Sequence, residues 1–293
     1  MPTQRHTPPE EARALLSRHT IDMVISDLDG TLLSPTSQIS PRIRAAVEAV
    51  LKAGIRFTLA SGRPKMSVMD IMQELAFQDA YIAGGGAYVE DPSQNLVIEH
   101  QVFDRETIET ITFLARQCKA SLLFEEPERM YLEGPDEISR LFNKMAGFPI
   151  PRVDDALAEA KTLPTKIVLV AEAEVLAALD PSLEAMHDRL SVASSYPTLR
   201  DVTPAGMNKG SALEKLSRHV GIPGDRILAI GDGWNDKSMF DIAAIGVAVA
   251  NATPNVLAEA DIIAPSNEDD GVAWVLEQVL ATRTGSARPA SQR

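Results

Sequence analysis

The chain has 293 residues, of which 45% are hydrophobic and 24% charged, and its formal net charge is −13. That length suits two domains with cores of their own, and the acidic balance argues against a nucleic-acid partner, which would need a basic footprint. A single cysteine, Cys118, rules out an internal disulfide and a cysteine metal cluster, and no run reaches the roughly 18 apolar residues of a membrane span.

Residues 1–19 lack the long apolar run of a secretory signal. They read as an N-terminal extension with a short helix over 10–18. A strand over 21–26, IDMVIS, runs straight into DLDGTLL. Ser40 as N-cap, Pro41 at N1 and Gly54 past the end bound a helix over 41–53. A strand over 55–60 ends in Ser61-Gly62-Arg63-Pro64. A helix over 65–75 then leads to residues 80–83 and the turn Gly84-Gly85-Gly86. Apolar strands alternating with helices predict βαβ units and a parallel sheet.

The middle of the chain has another texture. Strands over 96–98, 121–124, 130–132 and 166–170 mix with helices over 104–119, 135–146 and 172–190. This α+β pattern places an inserted domain at 87–198, with Cys118 in its core. The first rhythm then returns. A helix over 209–220 precedes a strand over 226–230 that ends in GDGWND. A helix over 237–244, a strand over 246–250 and helices over 255–260 and 272–280 complete it. The core domain is therefore split, at 20–86 and 199–281, and the tail over 282–293 reads as flexible.

The chemistry gathers where apolar strands stop. Asp27 and Asp29 lie two apart at a strand exit, so both carboxylates face one spot. Such exits hold ligands in open α/β sheets. One carboxylate there can attack phosphorus while the other passes a proton. Asp232 ends another apolar strand and Asp236 opens the next helix. Oxygen ligands at this density suit Mg²⁺. Ser61 offers a hydroxyl, and its loop offers backbone N–H groups to phosphate oxygens; a helix cap is the plainer alternative. Arg63 could approach substrate, pair with a carboxylate or stay solvated. Lys209 stands out only for its place between two acidic motifs, and Trp234 serves either local packing or contact with substrate.

Together these motifs resemble the haloacid dehalogenase-like phosphatases, in particular the Cof-type branch with a C2 (IIB) cap. DLDGTLL at 27–33, Ala60-Ser61-Gly62-Arg63-Pro64, Lys209-Gly210 and Gly231-Asp232-Gly233-Trp234-Asn235-Asp236 match the four motifs in order. Gly85-Gly86-Ala87 departs from a usual Asn-Gly-Ala. The resemblance implies an α/β fold: a Rossmann-like three-layer α/β/α core with a parallel sheet, plus the inserted α+β cap. It also implies a cytoplasmic, Mg²⁺-dependent hydrolase of a sugar phosphate or similar small phosphate ester, monomeric or homodimeric. Asp27 would be the nucleophile and Asp29 the acid/base. Ser61, Gly62, Arg63, Lys209 and Asn235 would bind substrate, and Asp27, Asp29, Asp232 and Asp236 would serve the metal. A phosphotransferase or phosphomutase on the same fold, or a non-catalytic binder of phosphorylated metabolites, are the rival expectations.

Overall fold

The computed structural model describes residues 6–146 and 148–284, so the ends of both the N-terminal extension and the expected flexible tail lie outside the described residues. The chain divides into two units. The first comprises Met1–Ser61, Ile71–Ile98 and Asn208–Arg293, and the second Gly62–Asp70 and Glu99–Met207. The inserted part thus begins and ends about ten residues later than the 87–198 expected from texture.

In the first unit, α1 (Pro9–Leu16) precedes β1 (Met23–Ser26). α2 (Pro41–Lys52) starts as its sequence requires, with Pro41 at N1 and the Ser40 hydroxyl accepting the Ile43 N–H at 3.1 Å. β2 (Arg56–Leu59), α3 (Lys65–Glu74), β3 (Tyr81–Ala83), β4 (Tyr88–Asp91) and β5 (Leu96–His100) follow, with the first six residues of α3 and the last two of β5 falling in the second unit. β4 carries no clear signal in the sequence. It turns back against β3, with Tyr88 opposite Ala83, and so stays with the first unit.

The second unit holds α4 (Arg105–Gln117), β6 (Ser121–Glu126), β7 (Arg129–Glu133), α5 (Asp136–Ala146), β8 (Arg152–Val153), α6 (Ala156–Glu159), β9 (Lys166–Val170), α7 (Ala173–Glu184), β10 (Leu190–Tyr196) and β11 (Leu199–Pro204). Its six strands are ordered β10-β11-β9-β6-β7-β8. One face packs Ile108, Ile111, Leu176 and Leu183 from α4 and α7 over Leu122, Phe124, Ile167 and Leu169; Cys118 lies against this core. The other face carries Leu123, Leu132, Val168 and Val170 beneath Phe142 of α5. β11 pairs antiparallel with β9, which is why residues 199–204 belong here and not to the core.

The first unit resumes with α8 (Lys209–Val220), β12 (Ile227–Gly231), α9 (Lys237–Phe240), β13 (Ile245–Val249), α10 (Pro254–Glu259), β14 (Ile262–Ala264) and α11 (Gly271–Thr284). Its central sheet is parallel, in the order β14-β13-β12-β1-β2. Met23, Ile25, Ile227 and Ala229 point into a core with Leu213 of α8, Met239 of α9 and Val256 of α10. The intervening Val24, Leu228 and Ile230, equally buried, point the opposite way, and α2 and α11 pack together with contacts to β2 and β14. This is the three-layer α/β/α arrangement. At the sheet edge, the Thr7 N–H donates to the Ile263 carbonyl at 2.8 Å, and the Thr7 hydroxyl accepts the Ile263 N–H at 2.9 Å. α1 then packs on α11.

Candidate active site

β1 and β12 are parallel neighbours with Ser26 opposite Ile230. Asp27 and Asp232 therefore leave the sheet side by side at its carboxyl edge, and the Asp27 N–H still reaches the Ile230 carbonyl at 2.9 Å. β2 lies on the other side of β1, with Leu59 opposite Ser26, so Ser61 leaves at the same edge. One sheet edge thus collects three of the predicted motifs.

The turn after Asp27 is locked in place. Gly30 has φ +78°, and a Cβ there would collide with the Asp232 carboxylate, so glycine is needed both for the turn and for the close approach. Thr31 Oγ1 donates to Asp232 Oδ1 at 2.9 Å. Asn251 Nδ2 donates to the Gly30 carbonyl at 2.7 Å, its Oδ1 accepts the Asn267 N–H at 2.9 Å, and Asn267 Nδ2 donates to the Leu33 carbonyl at 2.8 Å. Asn267 escapes a reading of the sequence, because nothing local marks a residue whose partner lies more than two hundred positions away.

Lys209 is the hub. It opens α8, is 1% exposed, and its Nζ donates to Asp27 Oδ1 and to Asp236 Oδ1, each at 2.5 Å. Asp236 is fully buried, and its second oxygen accepts the N–H groups of Asp232 and Gly233 at 3.0 Å each. It thereby closes the loop that aims Asp232. The start of α8 is held by Asn208, whose side chain accepts the Ser211 N–H at 2.9 Å. Gly86, at φ +112°, packs so closely that a Cβ would stand 2.5 Å from the Asn208 carbonyl oxygen. The glycine turn is therefore a seat for the lysine helix.

Burial pushes the Asp27 carboxyl up to about 8; Lys209 opposes this, while the charges of Asp236 and Asp232 add to it. Burial likewise raises Asp232 to about 6, against the Thr31 hydrogen bond. Burial works against the Lys209 charge, but Asp236 and Asp27 outweigh it and raise its pKa. One ammonium thus does not balance this group of acids. Among the described residues, Asp27, Asp232 and Asp236 each offer an oxygen, all within 4.8 Å of one another. Three hard oxygen donors with surplus negative charge fit a Mg²⁺ ion. The Asp29 carboxylate is exposed and is not one of this group, so the expected fourth acid does not join it by its side chain.

Ser61 is buried, its N–H donates to the Ile82 carbonyl at 3.0 Å, and its carbonyl accepts the Gly85 N–H at 2.9 Å. Gly62 and Arg63, next in the chain, group with the second unit. Asn235 is exposed, with its carbonyl accepting the Ser238 hydroxyl at 3.2 Å. Trp234 is 55% exposed.

A parallel α/β sheet whose strand exits bring together a buried lysine and several carboxylates defines the class of α/β proteins with a polar site at the carboxyl edge of the sheet. The sequence profile of haloacid dehalogenase-like hydrolases matches residues 24–276, and the chain belongs to that family. It is 29% identical over 264 residues to the chloroplastic endoribonuclease YBEY of Arabidopsis thaliana, a match covering 85% of this chain and 45% of that protein, so the chain spans less than half of that relative. It is 29% identical over 238 residues to the HMP-PP phosphatase of Cronobacter sakazakii, covering 80% of this chain and 85% of the relative. A crystal structure of a haloacid dehalogenase-like hydrolase from Bacteroides thetaiotaomicron superposes with a TM-score of 0.84 at 27% identity, covering 89% of this chain and all of the other. No helix among the described residues is long and apolar enough to cross a membrane.

Proposed function

We propose that the protein is a Mg²⁺-dependent phosphatase of a small phosphorylated metabolite, a sugar phosphate or similar monoester, acting in the cytoplasm through an aspartyl phosphate on Asp27. The observation that carries this is the Lys209 ammonium shared by Asp27 and Asp236 beside Asp232. Kinship with a named phosphatase supports it.

Asp27 and Asp232 would hold the ion with the Asp29 main-chain carbonyl, and Asp236 would brace them. The bound ion would supply positive charge against the phosphoryl oxygens and keep Asp27 ionised. Asp27 then attacks phosphorus, and the bond from phosphorus to the leaving oxygen breaks. Asp29, exposed at the turn, gives that oxygen its proton. It then takes one from the water that attacks the phosphorus of the acyl phosphate, which frees inorganic phosphate and restores Asp27. Lys209 neutralises oxygen charge from a fixed position. The Ser61 hydroxyl, the Gly62–Arg63 loop and Asn235 complete the phosphate contacts, and the second unit selects the leaving group as a cap.

A panel of phosphorylated metabolites, assayed for released phosphate with Mg²⁺ and after exhaustive chelation, tests this. Turnover that vanishes with EDTA and returns with Mg²⁺ is expected. Full activity after chelation refutes the metal role, and an isomerised phosphosugar in place of free phosphate refutes hydrolysis.

A further inference from the structure

The turn after β4 buries a carboxylate that this chemistry leaves unused. Asp91 is 1% exposed. Its Oδ1 accepts the Ser93 N–H at 3.0 Å and the Ser93 hydroxyl at 2.5 Å, and its Oδ2 accepts Gln94 Nε2 at 2.9 Å. Those bonds stay within the turn. A further partner comes from α8, where His219 Nε2 stands 2.7 Å from Asp91 Oδ2. An ionised carboxylate only accepts, so the ring nitrogen is the donor. Burial works against the Asp91 charge, but the hydrogen bonds from Ser93, His219 and Gln94 outweigh it and hold its carboxyl below the usual range. The turn already supplies three donors, so a buried charge in want of partners does not account for His219. What His219 adds is a tie from the turn to the helix.

That tie sits at the far end of α8 from Lys209. Asn208, the N-cap of the helix, abuts Gly86, which lies just before β4. His219, in the last turn of the helix, meets Asp91, which ends β4. The two spans match. Asn208 to His219 rises about 17 Å at ~1.5 Å per residue, and the chain from Gly86 to Asp91 reaches at most about 17 Å at ~3.3 Å per residue. Between these ends, Ala212, Leu213 and Leu216 share a core with Ile82 and Val89. Apolar packing is non-directional, whereas a charge-assisted hydrogen bond fixes a distance and an angle. The bond therefore sets the helix along its axis where packing alone does not.

We infer that His219 is a positioning residue for Lys209: the His219–Asp91 bond, with the Gly86 seat, fixes α8 along its axis and so sets where the Lys209 ammonium stands between Asp27 and Asp236. This rests on the phosphatase reading above, and every group in it belongs to the first unit. The test measures kcat, KM and melting temperature with Mg²⁺ present. His219→Ala should lower kcat about tenfold or more, with a smaller change in KM, because a misplacement of about 1 Å can cost about 100-fold. His219→Gln, whose amide N–H can stand where Nε2 stood, should recover most of the loss. Gly221→Ala is the control. At φ +72°, with open space where a Cβ would stand, it loosens the same helix end without touching the bond. Its melting temperature should fall by a few degrees while kcat stays within about twofold. If His219→Ala does not fold, His219→Asn, polar but too short to reach Asp91, carries the same expectation. A folded His219→Ala or His219→Asn with wild-type kcat overturns the inference and leaves the phosphatase reading intact. So does a Gly221→Ala that loses as much kcat for the same fall in melting temperature, since the histidine would then be merely structural. A wild-type protein that turns over no phosphate ester overturns both.

Discussion

Each unit buries one lysine among carboxylates, and the two clusters are built on different plans. Around Lys209, both acceptors are carboxylates at 2.5 Å, and they come from turns that follow different strands. Around Lys166, the acids Glu125 and Asp201 sit on neighbouring strands of one sheet at 3.1 and 3.6 Å, and the Gly62 main-chain carbonyl completes the set. Strand register fixes the second cluster and spends its ammonium on holding backbone. Turn geometry fixes the first, and it leaves acid in excess where a ligand can approach. Burial alone therefore does not mark a reactive charge; surplus charge at a strand exit does.

The comparison can be broken most severely at Asp27. Asp27→Asn keeps the shape but removes the nucleophilic carboxylate, and kcat should fall by at least about 10³-fold while the circular dichroism spectrum is unchanged. Wild-type-like turnover in the folded variant would remove Asp27 from the chemistry. Next is Lys209→Met, which strands two buried carboxylates and should lower unfolding free energy by about 3–5 kcal/mol in denaturant titrations. Mg²⁺ should return part of that loss, because a cation can replace the ammonium's charge. An equal loss with and without Mg²⁺ would show that the ion does not bind among these acids.

Gly86→Ala comes third. Its added methyl would press on the Asn208 carbonyl from a left-handed backbone. Stability should drop by about 1–3 kcal/mol, and kcat should drop with it as Lys209 shifts. Gly85→Asn is its control: at φ +69°, with open space where a Cβ would stand, asparagine should move stability by under about 0.5 kcal/mol and leave KM alone. If the two substitutions behave alike, the turn is a plain linker. The smallest effect belongs to an ordinary cap in the second unit. Asp104 accepts the Thr107 hydroxyl at 2.7 Å and the Thr107 N–H at 2.9 Å, bonds that hold its carboxyl down at about 2. Asp104→Ala should cost about 1 kcal/mol with no change in kcat. A depressed acid stabilises above its unfolded pKa of about 3.9. The gap between wild type and variant should therefore be full at pH 5 and close as pH falls towards 2. A gap that persists at pH 2 would discount the carboxylate's charge.

The contrast also explains what the sequence could disclose. Ser40-Pro41, the strand-ending Asp27 and Asp232, and Asn208 before Lys209 are local signals, and the helices and parallel strands they announce are present. β10, Ser-rich and without a clean alternation of apolar residues, carries no such signal. Without the β10–β11 hairpin, the expected boundary falls at 198. Asn267 on the Leu33 carbonyl, Gly30 against Asp232 and Lys166 on Gly62 are long-range encounters between residues ordinary in their own neighbourhoods. Asp29, exposed beside the Gly30 turn, lies outside the group of three close oxygens, yet its charge still helps to raise Asp232.

Thr7 gives the N-terminal extension a meaning apart from catalysis. β14 is the outermost strand of the central sheet, an Ile-Ile-Ala run whose free edge would be a template for another chain. By taking both main-chain groups of Ile263, Thr7 ends the ladder there, and α1 keeps it moored to α11. Removing Thr7 and α1 should therefore leave both main-chain groups of Ile263 without these partners, and a truncated variant that aggregates no faster than the full chain would show that the edge needs no such cover.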